Sequence, residues 1–245
     1  MSRKKPFLIR RLKKAVAPIL ERHDLKVVPS TRLVDFYLHE YESYEQYRDV
    51  QTFYNKQKIK NVWADEKTLR LIGEKLSARK PGEKLKGLCH GSRNGFEQAC
   101  FIEAFGFDVI GTDISDTATQ FPHSVQWDFH DRNEEWVGAF DFVYTNSHDQ
   151  SWNPRQAFAT WLEQLKDDGL MVIEHTNSHG PSEASQMDPF GVRPTVFPYV
   201  MCEWFGHSIS IEVLKTRKGN VDLDTWLFFI AKTPLERMAL DTANA

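Results

Sequence analysis

The sequence predicts an α/β fold with a doubly wound, mostly parallel sheet, an antiparallel strand pair at its C-terminal edge and a helical N-terminal extension. Two observations carry this prediction. After residue 80, short apolar runs typical of strands alternate with longer helical patterns, as in βαβ units. The last two apolar runs, "HSISIEVLKT" and "DTWLFFIAK", are joined only by the polar turn "RKGNVD", which favours an antiparallel pair.

Composition and charge narrow the class of protein. The chain has 245 residues, of which 41% are apolar and 27% charged, as in soluble proteins with a sizeable core. Its net charge of −3 argues against a general affinity for nucleic acid. Three cysteines without a CxxC pair, and no apolar run near the roughly 20 residues that span a bilayer, lead us to expect a cytoplasmic protein.

The turn-forming stretch "RKPGEK" marks the boundary between two predicted domains, a helical extension over residues 1–80 and an α/β domain over residues 81–245. The extension begins with a basic amphipathic helix over residues 7–20, in a segment whose first 30 residues carry a net charge of +7. We expect this helix to pack on the domain with its basic face in water. The alternative is a contact of residues 3–20 with an anionic membrane surface or a charged partner.

Two more helices are predicted in the extension. Residues 40–54 are rich in tyrosine, and we expect them to cover the main domain or to line the mouth of a pocket. Residues 65–78 form a helix with Asp65 as its N-cap and with apolar residues, such as Leu69 and Ile72, on its buried side.

In the α/β domain the predicted strands are "LKGLCH", "FDVIGTD", "HSVQWD", "FDFVYTN" and "GLMVIEHT", the last opened by Gly169. The predicted helices between them are "NGFEQACFIEAF" and "PRQAFATWLEQLK", the second with Pro154 in its first turn. Open parallel sheets bind ligands at the carboxyl ends of their strands. The residues that follow each strand are therefore the candidates for a binding site.

The first strand runs into a turn with two glycines, Gly91 and Gly95, which can adopt backbone angles that other residues avoid. The helix that follows directs free N–H groups into the same space. These features suit a ligand that approaches the main chain. A helix-capping turn with two glycines explains them almost as well.

Acidic residues end the second and third strands. Asp113 follows Gly91 by 22 residues, a spacing at which nucleotide-binding folds place an acid that holds ribose hydroxyls. The alternative is an N-cap for the turn "SDTA", although Ser115 can serve there instead. Asp128 could accept a hydrogen bond from an adenine amino group or could cap a loop.

The order of these features resembles the cofactor-binding core of class I S-adenosylmethionine-dependent methyltransferases over about residues 85–176. "GLCHGSRNG", "VIGTDIS", "VQWDFHD" and "FDFVYTNSHDQSWNPRQAFATWLEQLKDDGLMVIEH" stand where that family has its successive motifs. The resemblance implies a Rossmann-like fold and S-adenosyl-L-methionine as the cofactor. It implies cofactor binding by His90, Gly91, Ser92, Arg93, Gly95, Asp113, Ile114, Asp128, Phe129 and Asn146.

The sequence departs from the family in its first motif. Cys89 stands where the family usually has an acid, and Arg93 replaces the middle glycine. The arginine could reach the cofactor carboxylate as a charge-assisted donor, or it could point to solvent. A nicotinamide oxidoreductase is less favoured, because no clean GxGxxG is present.

Candidates for catalysis follow the fourth and fifth strands. His148 is a plausible general base, because imidazole titrates near neutral pH, and its alternative is a loop residue bonded to backbone. No metal site is predicted. The alternative is a metal site formed by His175, His179, Asp149 and Asp188. It is disfavoured because "HTNSH" is not on a clear helix and a proline follows it, so the spacing does not support a ligand geometry.

The long loop "GPSEASQMDPFGVRPTVF" is expected to bind the acceptor or to form a lid. Met187, Phe190, Phe197 and Trp204 could form an apolar wall there, although ordinary packing in the helix "YVMCEWF" is the simpler account of Trp204.

The sequence thus predicts a methyltransferase that acts on oxygen or nitrogen of a small-molecule or saccharide-like acceptor. Nucleic acid is disfavoured as a partner, because residues outside the basic N-terminus carry a net charge of −10. The alternative is a non-catalytic binding protein that retains the fold, which Cys89 and Arg93 support. The sequence assigns neither the acceptor nor an oligomeric state.

Overall fold

The computed structural model describes residues 35–219 and 223–233, together with Val16 and Leu20 of the N-terminal segment. The chain divides into two units, Met1–Val34 and Asp35–Ala245. Only the second unit is described below. Apart from those two positions, the predicted basic helix over 7–20 and the predicted contact through 3–20 lie outside the described residues.

Seven strands form the main sheet in the order β4-β3-β2-β5-β6-β9-β8, and two short strands, β1 and β7, pair separately. The strands are β1 (Phe36–Leu38), β2 (Lys86–His90), β3 (Asp108–Asp113), β4 (Ser124–Gln126), β5 (Phe140–Thr145), β6 (Leu165–Thr176), β7 (Phe190–Val192), β8 (Ile209–Arg217) and β9 (Asp224–Lys232).

Strands β2 to β6 are parallel, and the chain reverses its direction of travel across the sheet between β2 and β5. Strand β9 is antiparallel to both β6 and β8. The predicted doubly wound sheet with an antiparallel pair at its C-terminal edge is confirmed. Open sheets of this type bind ligands at the reversal point, outside the carboxyl ends of the strands.

Within the described ranges, five α-helices accompany the sheet: α1 (Tyr44–Gln57), α2 (Glu66–Arg79), α3 (Phe96–Phe105), α4 (Pro154–Gln164) and α5 (Phe197–Phe205). Asp65 caps α2 as predicted, with its side chain accepting from the N–H of Thr68. Helix α1 begins at Tyr44, later than predicted, because Ser43 caps it. Among the described residues, none of these helices is both long and apolar enough to cross a bilayer.

Apolar side chains fill both faces of the sheet. Phe158 and Trp161 of α4 are fully buried against one face, and Ile72 of α2 and Phe101 of α3 against the other. Each such side chain contributes roughly 1.5–3 kcal/mol when it leaves water. The well-packed sheet therefore provides a rigid support for the loops at its carboxyl edge.

The small β1–β7 sheet pairs the residues that precede α1 with the loop that follows β6, through Phe36 opposite Val192 and Leu38 opposite Phe190. The ring of Trp204 packs on those of Phe36, Phe158 and Phe190. Ordinary core packing therefore accounts for Trp204. Residues 35–80 thus belong to the same unit as the sheet. The proposed division at residue 80 stays a prediction.

Candidate functional site

A crevice with two connected cavities lies at the carboxyl edge of the sheet. The large cavity has a volume of about 330 Å³, and the narrow cavity, which lies beneath α1, has a volume of about 30 Å³. Gly91 and Arg93 line both cavities, and so do Lys58, Gln150 and Met187. The two cavities are therefore parts of one site.

Gly91 begins the turn after β2 with a φ of +70°, which favours glycine. A Cβ at this position would lie 2.5 Å from Cβ of Ser147, so a larger residue could not fit without a shift of the backbone. The next turn residue with a positive φ is Arg93, at +44°, and its backbone N–H donates to Oδ2 of Asp113 at 3.1 Å. The glycine turn is thus tied to the end of β3.

Arg93 is half-buried and lines both cavities. Its Nη1 donates to the carbonyl oxygen of Asn61 at 3.3 Å, which anchors the guanidinium to the α1–α2 loop. Its Nε is buried without a hydrogen-bond partner. A buried donor of this kind is costly unless a ligand satisfies it.

Asp113 lines the narrow cavity, and its carboxylate accepts from the backbone N–H groups of Arg93 and Ser115. Burial raises its pKa. Ser115, rather than Asp113, caps the following turn, because its Oγ accepts from the N–H of Thr117. The helix-capping alternative for Asp113 is thus taken by Ser115, and the assignment of Asp113 to a ribose stays a prediction.

Asp128 lines the narrow cavity together with Phe129 and Ile114. Its Oδ2 accepts from the hydroxyl of Tyr44 at 2.8 Å, and its Oδ1 lies 2.6 Å from Nδ1 of His130. Burial opposes ionisation of Asp128, but the hydrogen bonds from His130 outweigh it and lower the pKa. In this arrangement both oxygens of the carboxylate are bonded within the protein.

The large cavity is lined by two buried carboxyl groups, those of Glu97 and Asp149, and by the half-buried carboxyl group of Asp188. Burial raises the pKa of each to about 7, and for Asp188 the nearby Asp149 adds to the effect. Lys58 and Arg93 are the cations of the same wall. A positively charged ligand would therefore be stabilised here as the carboxyl groups ionise.

Three more buried polar atoms at the large cavity have no hydrogen-bond partner: Oε2 of Glu97, Nδ2 of Asn146 and Nδ1 of His179. The side chain of Asn146 still lies near enough to Glu97 to lower the pKa of its carboxyl. The sequence reasoning identified Asn146 at the end of the fourth strand but missed Glu97. That residue lies within α3, and no motif marked it. It reaches the cavity because α3 starts directly after the glycine turn.

Three predicted residues lie elsewhere. His90 is buried outside both cavities, hydrogen-bonded to Thr112 and Gln164 and stacked on Trp161, and burial lowers its pKa to about 4. Gly95 precedes α3 without lining a cavity. His148 is fully buried and lines neither cavity, and its role as a general base stays a prediction.

His148 lies against two other histidines. Its ring centroid is 4.5 Å from that of His175 and 5.0 Å from that of His179. One ring nitrogen from each of the three lies within 4.8 Å of the others. This group, called the histidine cluster below, is the only set of three potential metal ligands found in the described part of the chain.

The chain matches no protein-family model and no curated protein in sequence. Its fold matches solved methyltransferase structures. 1,6-Didemethyltoxoflavin-N1-methyltransferase from Burkholderia thailandensis, with S-adenosylhomocysteine bound, has a TM-score of 0.62 at 17% identity over 80% of this chain and 93% of that one.

A second match is the plantazolicin methyltransferase BpumL in complex with S-adenosylhomocysteine, with a TM-score of 0.59 at 10% identity over 77% of this chain and 96% of that one. A third is a putative methyltransferase from Haloferax volcanii in complex with the activator Trm112, with a TM-score of 0.56 at 14% identity over 78% and 98% of the two chains. The chain therefore has the fold of class I S-adenosylmethionine-dependent methyltransferases.

Proposed function

We propose that this protein is an S-adenosylmethionine-dependent methyltransferase that acts on oxygen or nitrogen of a small-molecule or saccharide-like acceptor. One observation carries the proposal: a single crevice at the carboxyl edge of the sheet brings together Gly91, Arg93, Asp113 and Asp128. Proteins with the same fold methylate a toxoflavin precursor and plantazolicin, which are not nucleic acids.

The polar groups of the crevice match the chemistry of the cofactor. Asp113 would accept from the ribose hydroxyls, and Asp128 from the adenine amino group. In the large cavity, Oε2 of Glu97 would accept from the ammonium of the methionine portion. Nε of Arg93 and Nδ2 of Asn146 would donate to its carboxylate. All three of these atoms are buried and unpartnered, so a ligand would satisfy groups that now lack hydrogen bonds.

When bound, S-adenosylmethionine supplies a methyl group that is already activated on a sulfonium, and transfer to the acceptor leaves S-adenosylhomocysteine. The protein then has to align the acceptor, exclude water and take up a proton where the acceptor carries one. Asp149 and Asp188 line the large cavity with pKa values raised to about 7, which suits proton uptake near neutral pH.

Met187 and Asp188 belong to the long loop that was expected to contact the acceptor, and both line the large cavity. Helix α1 holds this loop in place, because Nε2 of Gln51 donates to the carbonyl oxygen of Met187 at 3.0 Å. The loop and α1 together cover the crevice. We propose that the acceptor enters beneath this cover.

The alternative is a binding protein that keeps the fold without catalysis. The size of the narrow cavity favours it, since about 30 Å³ cannot hold an adenosine. Tyr47, Gln51 and Asn55 of α1 line the narrow cavity and limit its size. Cofactor binding therefore requires α1 to move outwards, and a chain that cannot make this movement would not be an enzyme.

A cytoplasmic location is also a proposal. It is supported by the three cysteines, Cys89, Cys100 and Cys202, which are all free.

Calorimetry with S-adenosylmethionine and S-adenosylhomocysteine tests the proposal. The wild type and the control Asp108→Ala, which removes an exposed acid at the other end of β3, are expected to bind both compounds. Asp113→Ala is expected to weaken binding by at least about 100-fold, because two ribose hydroxyls lose a charged acceptor. Equal affinity of Asp113→Ala and the control would refute the assignment.

Turnover is then measured as the release of S-adenosylhomocysteine over a panel of hydroxyl- and amine-bearing metabolites. Product formation with at least one of them is expected. Tight cofactor binding with no turnover across the panel would favour the alternative, and no binding at all would rule out the methyltransferase assignment.

A further inference from the structure

We propose that the histidine cluster, His148, His175 and His179, binds a divalent transition-metal ion such as Zn²⁺. The three residues lie at or just beyond the carboxyl ends of two neighbouring parallel strands. His148 opens the short 3₁₀ turn after β5, His175 is the next-to-last residue of β6, and His179 ends the 3₁₀ turn after β6. Because β5 and β6 are paired in parallel, their carboxyl ends meet at one edge.

The hydrogen bonding of the cluster is incomplete. Four ring nitrogens are buried without a partner: Nδ1 and Nε2 of His148, Nε2 of His175 and Nδ1 of His179. A buried polar atom without a partner costs about 1–3 kcal/mol. Four such atoms on three neighbouring rings are difficult to explain as ordinary packing, and a shared metal ion would satisfy one nitrogen of each ring.

Two other buried histidines show how this chain treats an imidazole that only packs. Both ring nitrogens of His90 are hydrogen-bonded, to Thr112 and Gln164 at 2.8 Å each. Those of His130 are also bonded, to Asp128 and to Ser151 at 2.6 Å each. The cluster thus differs from the remaining buried histidines of the described chain.

His175 already has the hydrogen bond that orients a metal ligand. Its Nδ1 lies 2.9 Å from the carbonyl oxygen of Thr176, which can only accept, so the proton is on Nδ1. Nε2 then carries the lone pair and has no hydrogen-bond partner, although the backbone of Val192 also lies close to the ring. Metal-bound histidines commonly use such a bond to fix the ring and its tautomer.

The size and shell of the cluster fit a small ion. Tetrahedral ligands at about 2.1 Å from Zn²⁺ lie about 3.4 Å apart, so nitrogens within 4.8 Å need to approach by at most about 1.4 Å. The rings of Phe197 and Phe228 enclose His175 on the buried side, at 5.5 and 5.9 Å. Three imidazoles without a thiolate suit zinc, cobalt or nickel rather than Mg²⁺ or Ca²⁺.

The fourth position of such an ion would face the large cavity. His148 and His175 do not line that cavity, whereas His179 and Asp149 do. Oδ2 of Asp149 lies 3.7 Å from Nε2 of His179. From there Asp149 could serve as the fourth ligand or could orient the ring of His179. A site with three protein nitrogens and one accessible side is typical of metals that meet a substrate.

The consequence for the reaction rests on the proposed function. The acceptor is proposed to bind in the large cavity, and a metal ion there would bind its hydroxyl and lower the pKa of that hydroxyl. The metal ion would thereby activate the acceptor, a role first assigned to His148, and the proton of the hydroxyl would pass to Asp188, which lines the same cavity.

Metal titration of the chain without a histidine tag tests the site. After dialysis against a chelator, Co²⁺ is expected to bind at one equivalent with the visible absorption of a tetrahedral ion, and Zn²⁺ is expected to displace it. His175→Gln and, separately, His148→Gln are expected to weaken Co²⁺ binding by more than the roughly 10- to 100-fold seen for outer partners of metal ligands. The control, His207→Gln, removes an exposed imidazole outside the cluster and is expected to bind as the wild type does.

Thermal unfolding provides a second measurement. Zn²⁺ is expected to raise the unfolding midpoint of the wild type and of His207→Gln but not that of the cluster variants. Absence of stoichiometric binding to the wild type, or equal binding by His175→Gln, would overturn the proposal, and the wild-type titration decides even if a variant fails to fold. Calorimetry with S-adenosylhomocysteine separates the two proposals, since metal removal is expected to leave that affinity unchanged.

Discussion

The two cavities of the crevice differ in how far their polar groups are already satisfied. In the narrow cavity, Asp113 and Asp128 accept hydrogen bonds from backbone N–H groups, from Tyr44 and from His130. In the large cavity, Glu97 and Asn146 each retain a buried atom without a partner. The carboxylates of the narrow cavity are therefore already hydrogen-bonded within the protein, whereas the large cavity retains polar atoms that a ligand could satisfy.

This difference indicates an order of events. The half that would hold the methionine portion and the acceptor is formed in advance, whereas the half that would hold adenosine has to exchange α1 contacts for ligand contacts. Affinity is lowered by the free energy of that opening. Substitutions in the large cavity should therefore change mainly the stability of the fold. Substitutions in the narrow cavity should also change how easily α1 opens.

The largest effect is expected at Gly91, which borders both halves. Gly91→Ala places a Cβ 2.5 Å from Ser147 at a φ of +70°, so strain and overlap add. We expect a loss of about 2–5 kcal/mol in the free energy of unfolding.

The matched control for that substitution is Gly138→Ala. Gly138 also has a positive φ, of +64°, but no atom lies within 4 Å of a Cβ added there. We therefore expect only the backbone strain, of about 1–2 kcal/mol, without steric overlap. Denaturant unfolding of both variants measures the difference. Equal losses would show that the turn is not packed against Ser147 as described.

Glu97→Gln tests the large cavity through pH. Burial raises the pKa of Glu97 from 4.5 to about 7, while nearby Arg93 lowers it and Glu174 raises it. Between these two pH values the folded chain binds more protons than the unfolded chain, so the wild type loses stability as pH rises. At pH 8 we expect Glu97→Gln to be more stable than the wild type by up to about 3 kcal/mol, and at pH 4.5 this gain should disappear.

The control is Glu103→Gln, which removes an exposed glutamate from the same helix and should show no comparable pH dependence. Urea unfolding at a series of pH values provides the measurement. A gain from Glu97→Gln that is the same at pH 4.5 and pH 8 would contradict a buried carboxyl with a raised pKa.

Tyr44→Phe tests the narrow cavity and should have the smallest effect. The lost hydrogen bond to Asp128 is expected to lower stability by about 1 kcal/mol. Because the same bond holds α1 over the cavity, S-adenosylhomocysteine should associate a few-fold faster in stopped-flow measurements. Tyr199→Phe, at a tyrosine that is 75% exposed, serves as the control. Unchanged association would mean that α1 does not limit entry.

The sequence was sufficient for the architecture because strand and helix patterns alternate clearly after residue 80. It also predicted that Gly91, Asp113 and Asp128 would meet, since the carboxyl ends of parallel strands share an edge. The start of β6 was predicted at Gly169, but Leu165 already pairs with Phe140 ahead of an irregular stretch. Propensity alone does not reveal that pairing, because it depends on the neighbouring strand.

The finer parts of the site escaped sequence reasoning for different physical reasons. Strand β2 is buried on both faces, so no alternation shows that His90 points towards α4 rather than into the crevice. Glu97 looks like any helix residue until α3 is placed beside the cavity. His148 follows β5 and His175 lies near the end of β6, and only the parallel pairing of these two strands makes the residues neighbours.

The short β1–β7 pairing has a practical consequence for anyone who shortens the chain. Its upstream partner, Phe36–Leu38, directly follows the basic N-terminal segment that invites removal. A protein trimmed to start near residue 40 would deprive Phe190–Val192 of backbone bonds, and the cover over the acceptor space would loosen. Weak activity in such a trimmed protein would then reflect a destabilised loop over the cavity and would not show that the full-length protein lacks activity.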